Sequence, residues 1–573
     1  MESPGTTTNP ATTNYRAARD QLIALRTEHS LAAKEFVWPD VGESFNWATD
    51  WFDEIAEGNE RIALWIVEED SSEVKISFAE MARRSDQVAT WLRSRGVKRG
   101  DHIMLMLGNQ VELWESMLAV MKIGAVILPT STVLGTADLA DRVQRAGVNH
   151  VLVNTCDASK FNEIPGDFGR VAIGESTPAG WADYADSVLV EPVRIDAGVA
   201  SSDPSLIYFT SGTTSKPKMV LHTQVSYPVG HLTTMYWLGL RPGDVHIAIS
   251  SPGWGKHAWS SFFSPWIAEA TIFVYNYSKF APAALLHQLD RSGATSFCAP
   301  PTVWRMLIQA ELGAKPRGLR ELLSAGEPLN PEVIRQIQQA WGLTIRDGYG
   351  QTETTAIVGH GPGSQLKHGS MGLPLPGVAI VLIDPITGKV TDEGELCLDL
   401  STIPVNLMAG YHGDAAKSAE ATRDGYFHTG DVAQRDASGC LTFIGRTDDV
   451  FKSSDFKVSP FEVESALLEH PGVAEAAVVP APDAQRLNIP KAYITLAAGW
   501  PDNAETAFAV LKHARECLPA YMRVRRVEFM DLPKTSSGKI RRVELRAREE
   551  EALANGTELV AEWRDDQFPE LKR

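Results

Sequence analysis

Four loops in this chain carry residue types and spacings that suit the handling of a nucleotide. The first is Thr210-Ser211-Gly212-Thr213-Thr214-Ser215-Lys216-Pro217-Lys218, set between the apolar runs 206–209 and 219–221. Small hydroxyl residues, a glycine and lysines can aim backbone N–H groups, hydroxyls and ammonium groups at phosphate oxygens. The glycine that precedes Lys-Ser/Thr in a Walker A loop is missing, so the choice is a different phosphate loop or a solvated turn. The second loop, Asp347-Gly348-Tyr349-Gly350-Gln351-Thr352-Glu353-Thr354, puts an acid, two glycines and an aromatic where a nucleotide can approach closely. Glu353 offers carboxylate oxygens, the ligands Mg²⁺ takes when it also binds phosphates. In the third, His428-Thr429-Gly430-Asp431 is followed by Gly445-Arg446-Thr447-Asp448-Asp449. Asp431 can accept hydrogen bonds from ribose hydroxyls, and Arg446 can donate to the same hydroxyls or to a phosphate; the plainer alternative is a surface ion pair. The fourth, Pro533-Lys534-Thr535-Ser536-Ser537-Gly538-Lys539, places a lysine on a loop of small residues, which by itself reads equally as a solvated basic loop.

The elements that must position these loops follow from hydropathy. From about residue 61 the chain alternates apolar strand-like runs with amphipathic helical stretches. The segment 71–77 leads into a helix over 78–95, the strand 101–107 into a helix over 110–123, and strands follow at 125–129, 245–250, 271–275, 294–299 and 322–324. That rhythm marks βαβ units and a mostly parallel sheet. Past residue 431 the texture changes: 431–435 and 441–444 flank Asp436-Ala-Ser-Gly439 as a hairpin. Ser459-Pro460-Phe461-Glu462 then starts a helix, with Ser as N-cap and Pro at the first helical position, stopping near His470. The fold class expected is α/β, a large multi-sheet N-terminal domain with a small mobile α+β C-terminal domain. The boundaries expected are a flexible tail over 1–20, the first domain over 21–446 and the second over 447–573.

Bulk properties narrow the partners. At 573 residues the chain exceeds a single core. Its formal charge of −18 argues against nucleic acid or an anionic membrane as partner. The five cysteines include no pair at zinc-site spacing, which fits a reduced cytoplasm. The polar start has no apolar signal core, and the most apolar stretch, 117–128, is too short to span a bilayer and contains Lys122. A cytoplasmic chain, with a homo-oligomer left open, is the expectation.

Taken together and in this order, TSGTTSKPK (210–218), SAGEP (324–328), YGQTET (349–354), HTGD (428–431), GRTDD (445–449) and PKTSSGK (533–539) resemble the family of acyl-CoA synthetases, adenylation domains and luciferases, nearest to medium-chain and related bacterial acyl-CoA synthetases. The resemblance runs over essentially the whole chain. It implies two half-reactions with ATP, Mg²⁺ and CoA. A carboxylate attacks the α-phosphate of Mg·ATP to give acyl-AMP and pyrophosphate, and CoA then takes the acyl group. It further implies that Thr210, Ser211, Gly212, Thr213, Thr214 and Lys218 hold phosphates. Gly326, Glu327, Pro328, Asp347, Gly348, Tyr349, Gly350, Gln351, Thr352, Asp431 and Arg446 would surround the AMP moiety. Glu353 would hold the metal, and Lys539 would be the catalytic lysine, with Thr210 and Glu353 beside it. Asp448 would be the hinge about which the C-terminal domain turns between the half-reactions.

The resemblance places the acyl pocket at Trp254, Gly255, His257 and Gly350. Relatives restricted to acetate carry tryptophan and valine where this chain has Gly350 and Gly255, so the two glycines predict an open floor and an acid larger than acetate, medium-chain or aromatic. His257 reads as a hydrogen-bonded structural histidine, because a carboxylate needs no base, and Trp259 reads as core. Ser453, Ser454, Asp455 and Arg486 would line the CoA channel. Asp455 and Ser459 stand where the family has glycine, Lys457 where it has arginine, and Ser215 replaces a phosphate-loop glycine. An acid at 455 either narrows the channel or simply makes the turn. The leading reading is an AMP-forming acid:CoA ligase. The alternatives are an adenylating enzyme with another acceptor or acid (a carrier-protein thiol, an amine, or nitrite activated for diazotisation of an aromatic amine) and a non-catalytic nucleotide sensor.

Overall fold

The computed structural model describes residues 9–210, 216–327, 329–367, 369–453, 456–483, 487–534, 540–555 and 561–572. It divides into two compact units, one of residues 1–380 with 398–427 and one of 381–397 with 428–573. The first unit holds two large sheets. One has nine strands, in the order Leu373–Pro374, Ala356–Gly359, Ile345–Gly350, Glu321–Ala325, Ser296–Ala299, Val245–Ala248, Thr271–Tyr275, Ile62–Val67 and Glu73–Ser77. The other has eight, running Gly410–Tyr411, Lys218–Thr223, Pro204–Thr210, Val126–Pro129, His102–Met106, His150–Asn154, Gly169–Ile173 and Ala182–Asp183. Central pairings in both are parallel, as the alternating pattern requires. Such strands are buried on both faces, which is why runs such as 126–129 and 103–106 are continuously apolar.

Local signals in the sequence have the structural consequences expected of them. The helix Phe78–Ser94 begins at Ser77, whose hydroxyl accepts from the Glu80 amide at 3.1 Å. The helix Val111–Ile123 ends at Gly124 with φ 74°. Lys122, the one charge in that apolar stretch, is fully buried and paired with Asp53 at 2.8 Å and Asp86 at 2.6 Å, which answers the cost of burying an ammonium. No described helix is long and apolar enough to cross a membrane.

Two boundaries differ from expectation. The tail expected over 1–20 is, from residue 10, the helix Pro10–Ala24, capped by Asn9 with Pro10 in its first turn. Tyr15, Ala18 and Leu22 fall on one face and are buried, and the Tyr15 hydroxyl donates to the Pro228 carbonyl at 3.1 Å. Of the small and polar residues that read as a tail, Thr13, Asn14 and Ala17 face solvent, while Ala11, Thr12 and Arg19 are buried with the apolar ones. The expected boundary between 446 and 447 also fails to coincide with the division into units. Ile380–Ile383, Glu393–Asp399, Tyr426–Arg435 and Leu441–Arg446 pair into a four-stranded sheet of their own, most of it in the second unit.

The remainder of the second unit is α+β. Its four-stranded sheet runs Val473–Asp483, Leu487–Leu496, Arg526–Phe529, Glu562–Arg564, with helices Pro460–Leu467, Ala504–Cys517 and Arg542–Ala554. Ser459 caps the first of these helices by accepting from the Glu462 amide. Under the sheet, the fully buried Lys491 lies 3.0 Å from Glu528, 2.7 Å from Glu549 and 2.9 Å from Glu562.

Candidate functional site

In the first unit the phosphate-loop flanks form a hairpin: Pro204–Thr210 and Lys218–Thr223 run antiparallel with Thr210 opposite Lys218. The register fixes the ends of the loop between them. The Thr210 hydroxyl oxygen is buried and, among the described residues, has no hydrogen-bond partner. A buried hydroxyl left in that state is uncommon.

Glu353 lies close to the same hairpin. The Tyr411 hydroxyl donates to Glu353 Oε1 at 3.0 Å, and Lys218 Nζ donates to that hydroxyl at 3.4 Å, with its ammonium 4.9 Å from the Tyr411 ring centre. The Glu353 carbonyl accepts from the Met408 amide at 2.8 Å. A carboxylate, a phenol and an ammonium are thus linked in a chain beside the orphaned Thr210 hydroxyl. Reading by motif did not find Tyr411; its only signal is its place in a short run that pairs with Lys218–Thr223, Tyr411 opposite Val220.

Residues 347–350, expected as a loop, are the end of the strand Ile345–Gly350 in the nine-stranded sheet, and the chain leaves the sheet at 351–354. Asp347 Oδ1 accepts from the Gly348 amide at 2.9 Å, yet desolvation pushes the carboxyl up to about 7 against the pull of that amide and the Leu329 amide. Gly348 is required: a β-carbon there would lie 2.3 Å from the Trp237 ring, whose N–H donates to the Asp347 carbonyl at 3.1 Å. Gln351 donates to the Tyr349 hydroxyl at 3.2 Å, and the Thr352 carbonyl accepts from His222 Nε2 at 2.7 Å. Burial lowers His222 to about 4, so it stays neutral and serves as a donor. Gly326 sits at the end of strand Glu321–Ala325 with φ 109°, Glu327 follows it, and Lys256 Nζ donates to the Ala325 carbonyl at 3.2 Å.

The expected acyl pocket is only partly as anticipated. His257 is buried and shares a hydrogen bond of 3.1 Å with Asn109 Oδ1, and burial lowers it to about 3: a neutral structural histidine. Trp254 is the N-cap of the helix Gly255–Ala258. The floor at Gly350 is not open, which corrects that expectation. A β-carbon on Gly350 would fall 2.0 Å from the Thr355 carbonyl oxygen and 2.6 Å from Trp259 Cη2. The Trp259 N–H donates to the Tyr227 hydroxyl at 2.9 Å, and that hydroxyl lies 3.2 Å from a β-carbon on Gly255, with Thr352 Oγ1 at 3.1 Å. Trp259 is buried, as its core reading held, and it takes the place that a larger residue at 350 would fill.

In the second unit Asp431 and Arg446 are register partners on Tyr426–Arg435 and Leu441–Arg446, with Arg446 3.9 Å from Asp431 Oδ1. Arg446 Nε also donates to Asp448, the expected hinge, at 3.0 Å. Residues 428–431, expected as a loop, lie within the strand Tyr426–Arg435 and are held by Glu395, which sequence reading missed. One carboxylate oxygen meets His428 Nδ1 at 2.8 Å and the other accepts from the Gly430 amide at 2.9 Å. Gly430 has φ 75°, a conformation glycine adopts without strain. Ser453 is buried at the end of strand Phe451–Ser453. Ser211, Gly212, Thr213, Thr214, Pro328, Ser454, Asp455, Arg486 and Lys539 lie outside the described residues.

Comparison with known proteins agrees with this arrangement. Residues 52–412 match the family model of AMP-binding enzymes, and residues 462–539 match that of the AMP-binding enzyme C-terminal domain. The chain is 42% identical over 522 residues to 4-hydroxybutyrate--CoA ligase 1 of Metallosphaera sedula, covering 89% of this chain and 92% of the relative. It is 34% identical over 530 residues to the mitochondrial acyl-coenzyme A synthetase ACSM3 of Homo sapiens, covering 89% and 90%. Among solved structures, the anthranilate CoA ligase AuaEII in complex with anthranoyl-AMP superposes with a TM-score of 0.81 at 26% identity, covering 90% of this chain and 99% of that one.

Proposed function

This chain belongs to the AMP-binding enzyme family, and we propose on that basis that it is an ATP-dependent, AMP-forming acid:CoA ligase acting on a carboxylic acid in the size range of 4-hydroxybutyrate and anthranilate. The observation that carries the reading is the linked set Glu353, Tyr411 and Lys218 beside the unpartnered Thr210 hydroxyl. Carboxylate, hydroxyl and ammonium donors of this kind suit Mg²⁺ and phosphate oxygens together. Glu353 and Thr210 would hold Mg²⁺, which neutralises charge on the phosphates when bound. Lys218 would bind phosphate oxygens. Asp431 and Arg446 would take the ribose, and Asp347 with 348–352 would form the adenine side.

Adenylation needs positioning and charge neutralisation more than proton transfer, because the attacking carboxylate is already ionised. That is consistent with His222, bonded at both ring nitrogens, and His257, bonded through Nε2, being neutral. Lys539 would stabilise charge at the α-phosphate and the attacking carboxylate. Rotation of the second domain about Asp448 would then bring 451–460 to the acyl-AMP for attack by CoA, with Ser453, Ser454, Asp455 and Arg486 along the channel. Tyr227, Trp259 and Thr352 close around Gly255 and Gly350, so the acid would be short or a single aromatic ring, larger than acetate. A panel of acids read by pyrophosphate release tests this. Hydroxybutyrate-sized and benzoate-type acids should lead and acetate should be poor; a preference for long unbranched acids would refute the size assignment.

A further inference from the structure

We infer that Glu395 is a positioning residue for the nucleotide: through the Gly430 peptide it sets the aim of the Asp431 carboxylate at the ribose. The inference rests on the reading of Asp431 as a ribose ligand. Glu395 lies on the strand Glu393–Asp399, which neighbours Tyr426–Arg435 in the four-stranded sheet. Side chains alternate along a strand, so His428 and Gly430 fall on one face of Tyr426–Arg435, with Thr429 and Asp431 on the other. Glu395, bonded to His428 and Gly430, therefore acts on Asp431 through the backbone.

The Gly430 residue is held from two sides. Its amide donates to Glu395 Oε1 at 2.9 Å. Its carbonyl accepts from the Thr447 amide at 2.9 Å and from the Thr447 hydroxyl at 3.1 Å. Between these bonds the residue keeps φ 75°, and the turn so made directs Asp431, which follows it. A glycine visits many other conformations as readily, so this one is fixed by the partners of the peptide and not by the residue itself. The Asp431 amide in turn donates to Thr429 Oγ1 at 3.1 Å, and that hydroxyl donates to the Leu396 carbonyl at 2.6 Å. Both peptides that lead into Asp431 are thus tied to Glu395 or to its neighbour in the chain.

The choice of a carboxylate at 395 fits this task. Glu395 is only 5% exposed, and burying a carboxylate is costly unless its oxygens are used. One oxygen takes the Gly430 amide and the other meets His428 Nδ1 at 2.8 Å. A carboxylate accepts, so Nδ1 carries the proton, and the imidazole fixes the rotamer from which Glu395 reaches Gly430.

The test measures ATP–pyrophosphate exchange by the full-length enzyme with ATP, 2′-deoxy-ATP and 3′-deoxy-ATP. In the parent, loss of the hydroxyl that Asp431 binds should raise the nucleotide KM by about tenfold or more, as loss of a hydrogen bond to a charged group does. Asp431→Ala should abolish that penalty. Glu395→Ala should raise the KM for ATP by about tenfold while kcat stays within about threefold of the parent, the pattern of lost uniform binding. It should also shrink the deoxy penalty to about twofold or less, because Glu395 and the ribose hydroxyl are coupled. Glu395→Gln, which keeps an oxygen for the Gly430 amide, should retain most of the penalty. If Glu395→Ala does not fold, Glu395→Asp withdraws the carboxylate by one methylene and should show the same loss. Either variant weakening all three nucleotides equally, with the full penalty intact where Asp431→Ala loses it, overturns the proposal. A penalty that survives Asp431→Ala overturns the ribose reading itself, and the proposal with it.

Discussion

Replacing Trp259 with glycine should lengthen the acids this enzyme accepts, and the size of the effect follows from the packing. Trp259 Cη2 stands 2.6 Å from where a β-carbon on Gly350 would be, so the indole occupies the space beneath that glycine. Removing it leaves room for several methylenes. Each methylene newly buried is worth about 0.8 kcal/mol, a factor of about four in kcat/KM. An acid extended by three methylenes should therefore gain about 2.4 kcal/mol, or roughly 60-fold, relative to the parent acid. The substitution also removes the hydrogen bond to Tyr227 and a buried ring, destabilising the first unit by about 3–5 kcal/mol. Activity should accordingly be measured well below the melting temperature of the variant. The assay is kcat/KM by pyrophosphate release over straight-chain acids of increasing length, for both proteins. A profile that drops uniformly while keeping its shape would refute the placing of Trp259 at the pocket floor.

Other expectations follow from particular contacts. Tyr411→Phe removes the hydroxyl that links Lys218 to Glu353 and should slow ATP–pyrophosphate exchange by about 10–100-fold, as loss of a hydrogen bond to a charged group of about 1.5–3 kcal/mol would; unchanged exchange would remove Tyr411 from the site. Lys539→Ala should lower adenylation by roughly two orders of magnitude or more while sparing thioester formation from pre-made acyl-AMP, measured by single turnover. Lys491→Met leaves Glu528, Glu549 and Glu562 around an apolar chain and should destabilise the second unit by about 3–5 kcal/mol, read as a fall of roughly 10 °C in its calorimetric transition. Asp347 holds its proton in the fold up to about 7 but releases it near 3.8 when unfolded, so ionisation erodes stability as pH rises through that window. Asp347→Asn should gain stability relative to the parent between pH 4 and pH 7; a difference that is flat with pH would contradict the shift.

The sequence made the parallel sheets, the hairpin around 210–218 and the pairing of Asp431 with Arg446 legible because their signals are local. Apolar runs alternate with helical periods, and Asp431 and Arg446 sit on strands joined by a short turn, which fixes their register. Pair contacts far apart in the chain were not legible. Tyr411 reaches Glu353 across 58 positions, and Glu395 reaches His428 across 33. The closing of the Gly350 floor was invisible for the same reason, since Trp259 is brought there by a different element and the glycine alone implies space. The N-terminal helix was missed because its threonines and asparagine weigh against helix, while the buried Tyr15, Ala18 and Leu22 decide the matter through tertiary packing. The four-stranded sheet that precedes residue 447 begins well before the change of texture past residue 431, so the division into units could not be placed from the chain alone.

The account stands most directly on the fate of the activated acid. The decisive measurement incubates the full-length enzyme with Mg·ATP and a hydroxybutyrate-sized or benzoate-type acid, with and without CoA, and follows AMP, pyrophosphate and acyl-CoA together by mass spectrometry. The account predicts acyl-CoA formed in equal amount to AMP and pyrophosphate, with turnover dependent on CoA. AMP release that is indifferent to CoA, with no thioester formed, would contradict it and assign the adenylate to a different acceptor.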